Sequence, residues 1–504
     1  MLPFKRQTVL RATLIFFLVV GTFLRLYRFK STLQFLGDQG RDALVVLHII
    51  QDHHPVLIGP VTSTGNIYLG PLYYYMMVPF LWLTYPSPIG PAYAIAILAI
   101  ITLFLTYHLG KEMVGEEAAV VATGFMALSA TAITFSRFSW NPNPAPFFAL
   151  ILYWASFRFW TKNRWYLLLM SLCISVLIQL HYVTLLAAAG AGIIWLVKAV
   201  DIIRHQKKEI GTFVLITVLA LGIFLVSLTP LALFEVRHNF VNSHSVQKLF
   251  SQEDGGFTQT TNLQKVAYVV LGTHGRALLI LFEMFIGITY WLNTVLLMAF
   301  IVVFFFVIGQ KAKTPKTIGV TILCVYLIVS VIGLAFYRST VFFHYVAYLF
   351  PVTFLFYGVF FTTLWRWKIG KGVVALFAIL FLWWNFAHLP LRPLSWNIDD
   401  IQRAAQTITA RLKPGEKYNI VLLTGTGDIN GQNYRYFLQT TDKKPLPEDQ
   451  WGQTETLFII NEDKKLKKVT DSPIYEIVVF PNKQPAEVYT IPNGPEITVL
   501  RAKK

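Results

Sequence analysis

The chain has 504 residues, of which 55% are hydrophobic, 15% aromatic and only 14% charged. That balance excludes an ordinary soluble enzyme and indicates an all-α polytopic membrane protein. The net charge of +17 does not point to nucleic acid, because basic residues in so apolar a chain anchor cytoplasmic loops and meet anionic membrane lipid.

The first element, Met1 to Tyr27, has a basic start followed by an apolar stretch. Arg25, Tyr27 and Arg28 follow in place of a small-residue cleavage site, so it reads as a retained signal anchor. Further apolar spans of membrane-crossing length lie at roughly 91–109, 118–135, 147–160, 165–182, 184–197, 212–230, 292–309, 317–336, 342–364 and 371–388. Two shorter runs, at roughly 71–84 and 277–290, would each cover only about 21 Å as a helix. Cys173 and Cys324 both lie inside apolar runs and read as core residues, with no disulfide framework.

Loop charge decides between topologies. If both short runs lie along the membrane, Lys111, Lys162, Arg164, Lys198, Arg204, Lys207, Lys208, Lys311, Lys313, Lys316, Arg366, Lys368 and Lys371 share one side with Lys5, Arg6 and Arg11. The short loops of the other side keep only Arg137 and Arg338. The positive-inside rule therefore predicts about eleven transmembrane helices, two interfacial helices and a cytoplasmic N-terminus in the plasma membrane. The expected division is a transmembrane domain, roughly 1–388 with outer loops at about 28–90 and 231–291, and an extracytoplasmic domain at roughly 389–504. In the tail, "WNIDDIQRAAQTITARL" predicts a helix, Pro414-Gly415 a turn, and Tyr418–Leu423, "TLFIIN", "YEIVVF" and "EITVL" strands, giving a small C-terminal α/β domain.

The unusual polar residues fall on the predicted outer face. "LQFLGDQGRDALVVLHIIQDHHP" carries Asp38, Arg41 and Asp42 directly after the first span. "SRFSWNPNP" carries Arg137, "QLHY" carries His181 and Tyr182, "TPLALFEVRHNF" carries Glu235, Arg237 and His238, and "YRSTVFFHY" carries Arg338, His344 and Tyr345. Charge beside apolar spans is costly unless paired or solvated, which makes this cluster a functional candidate. Each residue also has a plainer reading. Asp38 would cap a helix beginning near Arg41, Arg137 and Arg338 would snorkel to headgroups, and Tyr73-Tyr74-Tyr75 and Trp82 would sit in an interfacial aromatic belt. Asp38 and Arg41 share a face if helical. A carboxylate there can act as general base on a hydroxyl, and a guanidinium can hold a departing phosphate.

On these residues, together with "GNIYLGPLYYY" and "HYVAYLFP", the chain resembles the GT-C glycosyltransferases, and most of all the aminoarabinose transferases and protein O-mannosyltransferases. The resemblance covers most of the membrane part. It implies transfer of a sugar from a polyprenyl-phosphate-linked donor to an acceptor protein, lipid or glycan at the outer face. It places Asp38 at the family's catalytic aspartate and Arg41 at a phosphate-binding arginine. Arg137, Arg237 and Arg338 are further phosphate candidates. Asp42, His181, Tyr182, Glu235, His344 and Tyr345 are acceptor or secondary candidates. Two departures stand out: Asp38-Gln39 replaces the Asp-Glu pair of many relatives, and "LGPL" lacks the acidic residue that helps to bind metal. A divalent metal would then need ligands such as Glu235 and His238. The rival class is a transporter or lipid flippase, which would carry charge near the bilayer midplane on broken helices.

Overall fold

A long apolar run satisfies its own backbone in lipid as a helix, and the described apolar runs of the membrane part are helical. The computed structural model describes residues 3–62, 67–251, 314–335, 342–463 and 468–502. Its helices are α1 (Pro3–Leu26), α2 (Gly37–Asp52), α3 (Leu72–Thr84), α4 (Ile89–Val114), α5 (Glu116–Leu128), α6 (Ala130–Thr134), α7 (Ala145–Thr161), α8 (Tyr166–Leu180), α9 (Leu185–His205), α10 (Ile210–Ser227), α11 (Thr229–Arg237), α12 (Val241–Ser251), α13 (Pro315–Ala335), α14 (Phe350–Leu364) and α15 (Lys368–Ala387).

Among the described residues, seven segments are long and apolar enough to cross a membrane: Arg6–Leu26, Ile89–Val114, Tyr182–His205, Lys207–Ser227, Pro315–Leu334, Phe343–Leu364 and Lys368–Ala387. The chain is thus a multi-pass membrane protein. The span expected at 118–135 is broken at Ser129, whose side chain accepts from the Ala132 amide and starts α6. The run at 71–84 forms the 13-residue α3, about 20 Å long. The expected segments at 277–290 and 292–309 lie outside the described residues. The most apolar stretch of Phe343–Leu364 is 89% buried, whereas that of Lys207–Ser227 is 17% buried. The first is therefore the bundle's central element, and the second lies at its lipid-facing edge.

The tail contains α16 (Ile398–Ala410), β1 (Tyr418–Leu423), α17 (Gln432–Gln439), β2 (Thr456–Asn461), α18 (Tyr475–Val478), β3 (Pro485–Thr490) and β4 (Glu496–Arg501). The sheet order is β1-β2-β4-β3, with β1 parallel to β2 and β4 antiparallel to both β2 and β3. Alternate residues face opposite ways. Ile420, Leu422, Phe458 and Ile460 join the core shared with α16, α17 and the membrane part, while Val421, Leu423, Leu457 and Ile459 pack under Val469, Ile477 and Phe480.

Two strand expectations change. "YEIVVF" is helical at Tyr475–Val478, because its buried positions, Ile477 and Phe480, are three apart while Val478 and Val479 are exposed. An edge strand, β3, forms instead from a polar segment opened by Pro485, which suits an edge and not a sheet interior.

Candidate active site

The site begins where the chain leaves α1. α2 starts at Gly37, one residue before Asp38. The Leu36 amide, exposed by that start, donates to Gln39 Oε1 at 2.9 Å. Gln39 therefore satisfies the helix start, and Asp38 is not its cap. With Gln39, Gly40, Asp42, Ala43, Val46 and Leu47 buried, the exposed edge of the first turn carries Asp38.

Arg41 joins two unlike carboxylates. Its Nη1 donates to Asp38 Oδ1 at 2.9 Å, and its Nε and Nη2 donate to Asp42 Oδ1 at 3.0 and 2.8 Å. The Asp38 side chain is 48% exposed and that of Asp42 is 5% exposed. Tyr74 Oη also donates to Asp42 Oδ1, at 3.3 Å, while Asp42 Oδ2 is buried with no hydrogen-bond partner among the described residues. Burial pushes the Asp42 carboxyl up to about 6 even though Arg41 opposes the shift. Burial alone would lower the Arg41 guanidinium, but Asp42, Tyr74 and Asp38 outweigh it and raise it. Three bonds use three of the five guanidinium N–H groups, so two remain to meet an anion.

Tyr73 and Tyr74 are buried, and Tyr73 Oη shares a hydrogen bond of 2.6 Å with Ser139 Oγ. Of the expected aromatic belt Tyr75 and Trp82 are exposed, and the Tyr75 hydroxyl donates to the Val56 carbonyl. The helical period turns two of three consecutive tyrosines inward, where they support Asp42 and the loop that carries Ser139.

The C-terminal domain supplies a wall that the sequence reading missed. A Cβ at Gly37 would collide with the Asp428 side chain, and one at Gly40 with the Asn433 backbone. Asn433 Nδ2 donates to the Phe35 carbonyl at 3.2 Å, and Phe35 meets Tyr436 and Phe437 edge-on. Asp428 Oδ2 accepts from the Gln432 amide at 2.8 Å and so caps α17. Burial first, and Asp38 in addition, raise its carboxyl. The signal in the sequence was "GTGDINGQ", a glycine-rich turn ahead of a helix.

A second group gathers beside Ser139. The His344 ring lies 4.3 Å from Trp140, 4.5 Å from Tyr345 and 5.8 Å from His181, and His181 lies 4.8 Å from Tyr345. The expected residues His181, His344 and Tyr345 therefore meet. His181 Nδ1 accepts from the Val183 amide, which puts the proton of the neutral ring on Nε2.

The remaining candidates are used structurally. Tyr182 Oη donates to the Tyr68 carbonyl, and Asn242 brackets the same residue through its amide and carbonyl. Glu235 Oε1 accepts from the Asn242 amide, and Oε2 accepts from the Ser243 amide and hydroxyl, so this carboxylate starts α12. His238 Nδ1 lies 3.0 Å from the Phe234 carbonyl. Among the described residues no group of three or more His, Cys, Asp or Glu converges. The pair Glu235 and His238 does not fit a metal site, because both Glu235 oxygens accept from backbone donors and no third ligand stands with them among the described residues.

Arg137 is 2% exposed. Its Nη1 donates to the Leu24 carbonyl, and its Nη2 donates to the Tyr27 carbonyl and Thr32 Oγ1. The last carbonyls of a helix have no intrahelical partner, and here a guanidinium supplies one in place of snorkelling. Arg25, which the sequence reading used only to mark the anchor's end, does the same for Met126 and Ala127 at the end of α5. Arg237 is exposed, and Arg338 lies outside the described residues.

No protein-family model and no curated protein matches this sequence. Solved structures do match in fold. The chain is similar over 96% of its length to 97% of ArnT from Cupriavidus metallidurans bound to undecaprenyl phosphate, with TM-score 0.60 and 11% identity. Apo ArnT from the same organism gives TM-score 0.56 at 12% identity, covering 98% of both chains. Archaeal oligosaccharyltransferase AglB from Archaeoglobus fulgidus, in complex with an inhibitory peptide and a dolichol-phosphate, gives TM-score 0.50 at 11% identity, over 90% of this chain and 70% of that one. The chain thus shares the fold of these solved membrane proteins over nearly its whole length, as expected from the resemblance around Asp38.

Proposed function

We propose that this fold serves here to move a sugar from a polyprenyl-phosphate carrier to an acceptor on the outer face of the plasma membrane. The observation that carries the reading is Arg41, held between an exposed and a buried carboxylate at the start of the first helix outside the anchor. It is supported by full-length likeness to a structure that holds undecaprenyl phosphate. The proposed orientation has about eleven spans, a cytoplasmic N-terminus and the C-terminal domain outside. The packing of α17 on α2 supports one shared face for that domain and Asp38.

The proposed reaction is a single displacement with inversion at the sugar carbon. Asp38 accepts the proton of the acceptor hydroxyl as its oxygen bonds to that carbon. The bond from the carbon to the phosphate oxygen breaks, and its electron pair leaves with the polyprenyl phosphate. The two unused Arg41 donors hold the charge that develops there. Asp42 keeps Arg41 aimed. The ring group of His181, His344 and Tyr345 is assigned to the acceptor side. Arg137 is left out of the phosphate clamp because its terminal nitrogens are engaged by the end of α1. No step is assigned to a metal.

The test is transfer by the purified chain in lipid nanodiscs, with a labelled sugar on a polyprenyl phosphate and an envelope extract as acceptor. Label should pass to the extract with release of polyprenyl phosphate, and the anomeric configuration of the product should be inverted. Intact donor with every common sugar tried would overturn the reading. A reporter fused after Lys504 tests the orientation and should be active only outside the cytoplasm.

A further inference from the structure

At the end of the bundle away from the C-terminal domain, four helix ends meet. α7 ends at Thr161, α8 starts at Tyr166, α9 ends at His205 and α10 starts at Ile210. Between them lies a cavity of about 360 Å³ whose walls include Trp160, Lys162, Arg164, Trp165, Lys198 and Glu209. That volume falls within the range of ligand pockets, about 300–1,000 Å³.

Its charges do not balance. Glu209 is taken by Arg164 at 2.6 Å, and Asp201 by Lys198 at 3.3 Å. Lys198 also lies over the Trp160 ring, 5.0 Å from its centroid. Lys162 stands in the wall with no carboxylate partner among the described residues, and the same holds for Arg204 at the end of α9 and for Lys207 and Lys208 in the turn after it. Both acids near the cavity are therefore neutralised and several cations are left over, an arrangement that calls for an anion. The surroundings say which kind. The cavity sits where two lipid-edge helices end. Val200, Ile203, Val214 and Leu215 leave apolar surface exposed along those helices, and Trp165 is exposed at the same level. Exposed tryptophan marks the headgroup level of a membrane. Basic pockets between transmembrane helices bind anionic headgroups.

We propose that this cavity binds the phosphate headgroup of an anionic phospholipid, with Lys162 as its principal contact and the acyl chains lying along α9 and α10. The site is at the opposite end from Asp38 and does not depend on the transfer reading.

The experiment is native mass spectrometry of the purified full chain, titrated in turn with phosphatidylglycerol, phosphatidylcholine and inorganic phosphate. One phosphatidylglycerol should be retained in preference to phosphatidylcholine. Lys162→Glu changes the charge by two units, at roughly 1 kcal/mol each at a membrane surface, and should weaken that retention by about thirtyfold, without moving the thermal midpoint in lipid-free detergent. Lys368→Glu, a cation in a different turn of the same face, should leave it unchanged. Equal retention of both lipids, an equal loss in Lys368→Glu, or undiminished retention in Lys162→Glu would overturn the proposal. Displacement of the lipid by millimolar inorganic phosphate would assign the site to free phosphate and overturn the lipid assignment.

Discussion

Gly40 of α2 lies directly against the backbone of Asn433 in the C-terminal domain, with no room for a side chain between them. The Asn433 side chain reaches the Phe35 carbonyl just ahead of Asp38. The segment carrying Asp38 and Arg41 is thus fixed from both sides, by the bundle below and by α17 above. Gly40→Leu should push α17 off α2. Overpacking of this kind costs about 1–3 kcal/mol, and a displacement of about 1 Å at a reacting group can cost about 100-fold in rate. Faster hydrogen exchange at the amides of 37–45, together with a lower kcat, is the expected result. Unchanged exchange in that segment would mean that the contact does not position it.

Asp38 is the least replaceable residue of its turn on this reading. Asparagine keeps the size and an acceptor oxygen but takes no proton at neutral pH. Since Gln39 satisfies the helix start, Asp38→Asn should leave expression and thermal stability intact. Removing a general base costs about 10²–10⁴ in rate. Asp52→Asn, at the far end of α2, should be nearly silent. Full transfer activity in a stable Asp38→Asn protein would remove the catalytic assignment.

Asp42 sets a pH dependence of opposite sign for stability and for activity. Its carboxyl is pushed up to about 6 from an ordinary 3.8 by burial, so the fold favours the protonated form. The folded state then binds more protons than the unfolded one between these values. Stability from this group is full below 3.8 and is lost as pH rises through about 6. Only the carboxylate holds Arg41, so transfer should rise through the same interval. Asp428, also raised, contributes a stability slope of the same sign, and the difference between wild type and Asp42→Asn isolates Asp42. In that variant the thermal midpoint should depend less on pH, and the activity limb near 6 should vanish. An unaltered activity limb would assign it to another group.

Arg41 and Arg137 should separate donor binding from folding. Lysine at 41 replaces a planar fork with a point charge, so Arg41→Lys should raise the donor KM while leaving the thermal midpoint close to wild type. Arg137→Met leaves the Leu24 and Tyr27 carbonyls without their donor. Each buried group left unpaired costs about 1–3 kcal/mol, so the midpoint should fall while the remaining folded protein binds donor normally. The reverse pattern, with donor binding lost only in Arg137→Met, would return Arg137 to the phosphate clamp.

By itself the sequence determined the membrane class, the positions of most apolar helices, the small C-terminal domain and the place of Asp38, Arg41 and Asp42 after the anchor. These follow from composition, the period of apolar residues and the spacing of charge, all of which act over a few turns. Tertiary structure alone decided which polar residues were available for chemistry. Arg137 and Glu235 look like site residues in the sequence, yet one meets carbonyls 110 and 113 positions away and the other starts the next helix. Asp428 lies in a glycine-rich turn and Asn433 in the helix after it, yet they stand against α2, 398 positions separating Asn433 from its partner Phe35. The reason is that a helix end or a tight backbone crossing creates a demand for a donor, or for the absence of a side chain. Which distant residue meets that demand is settled only when the segments pack.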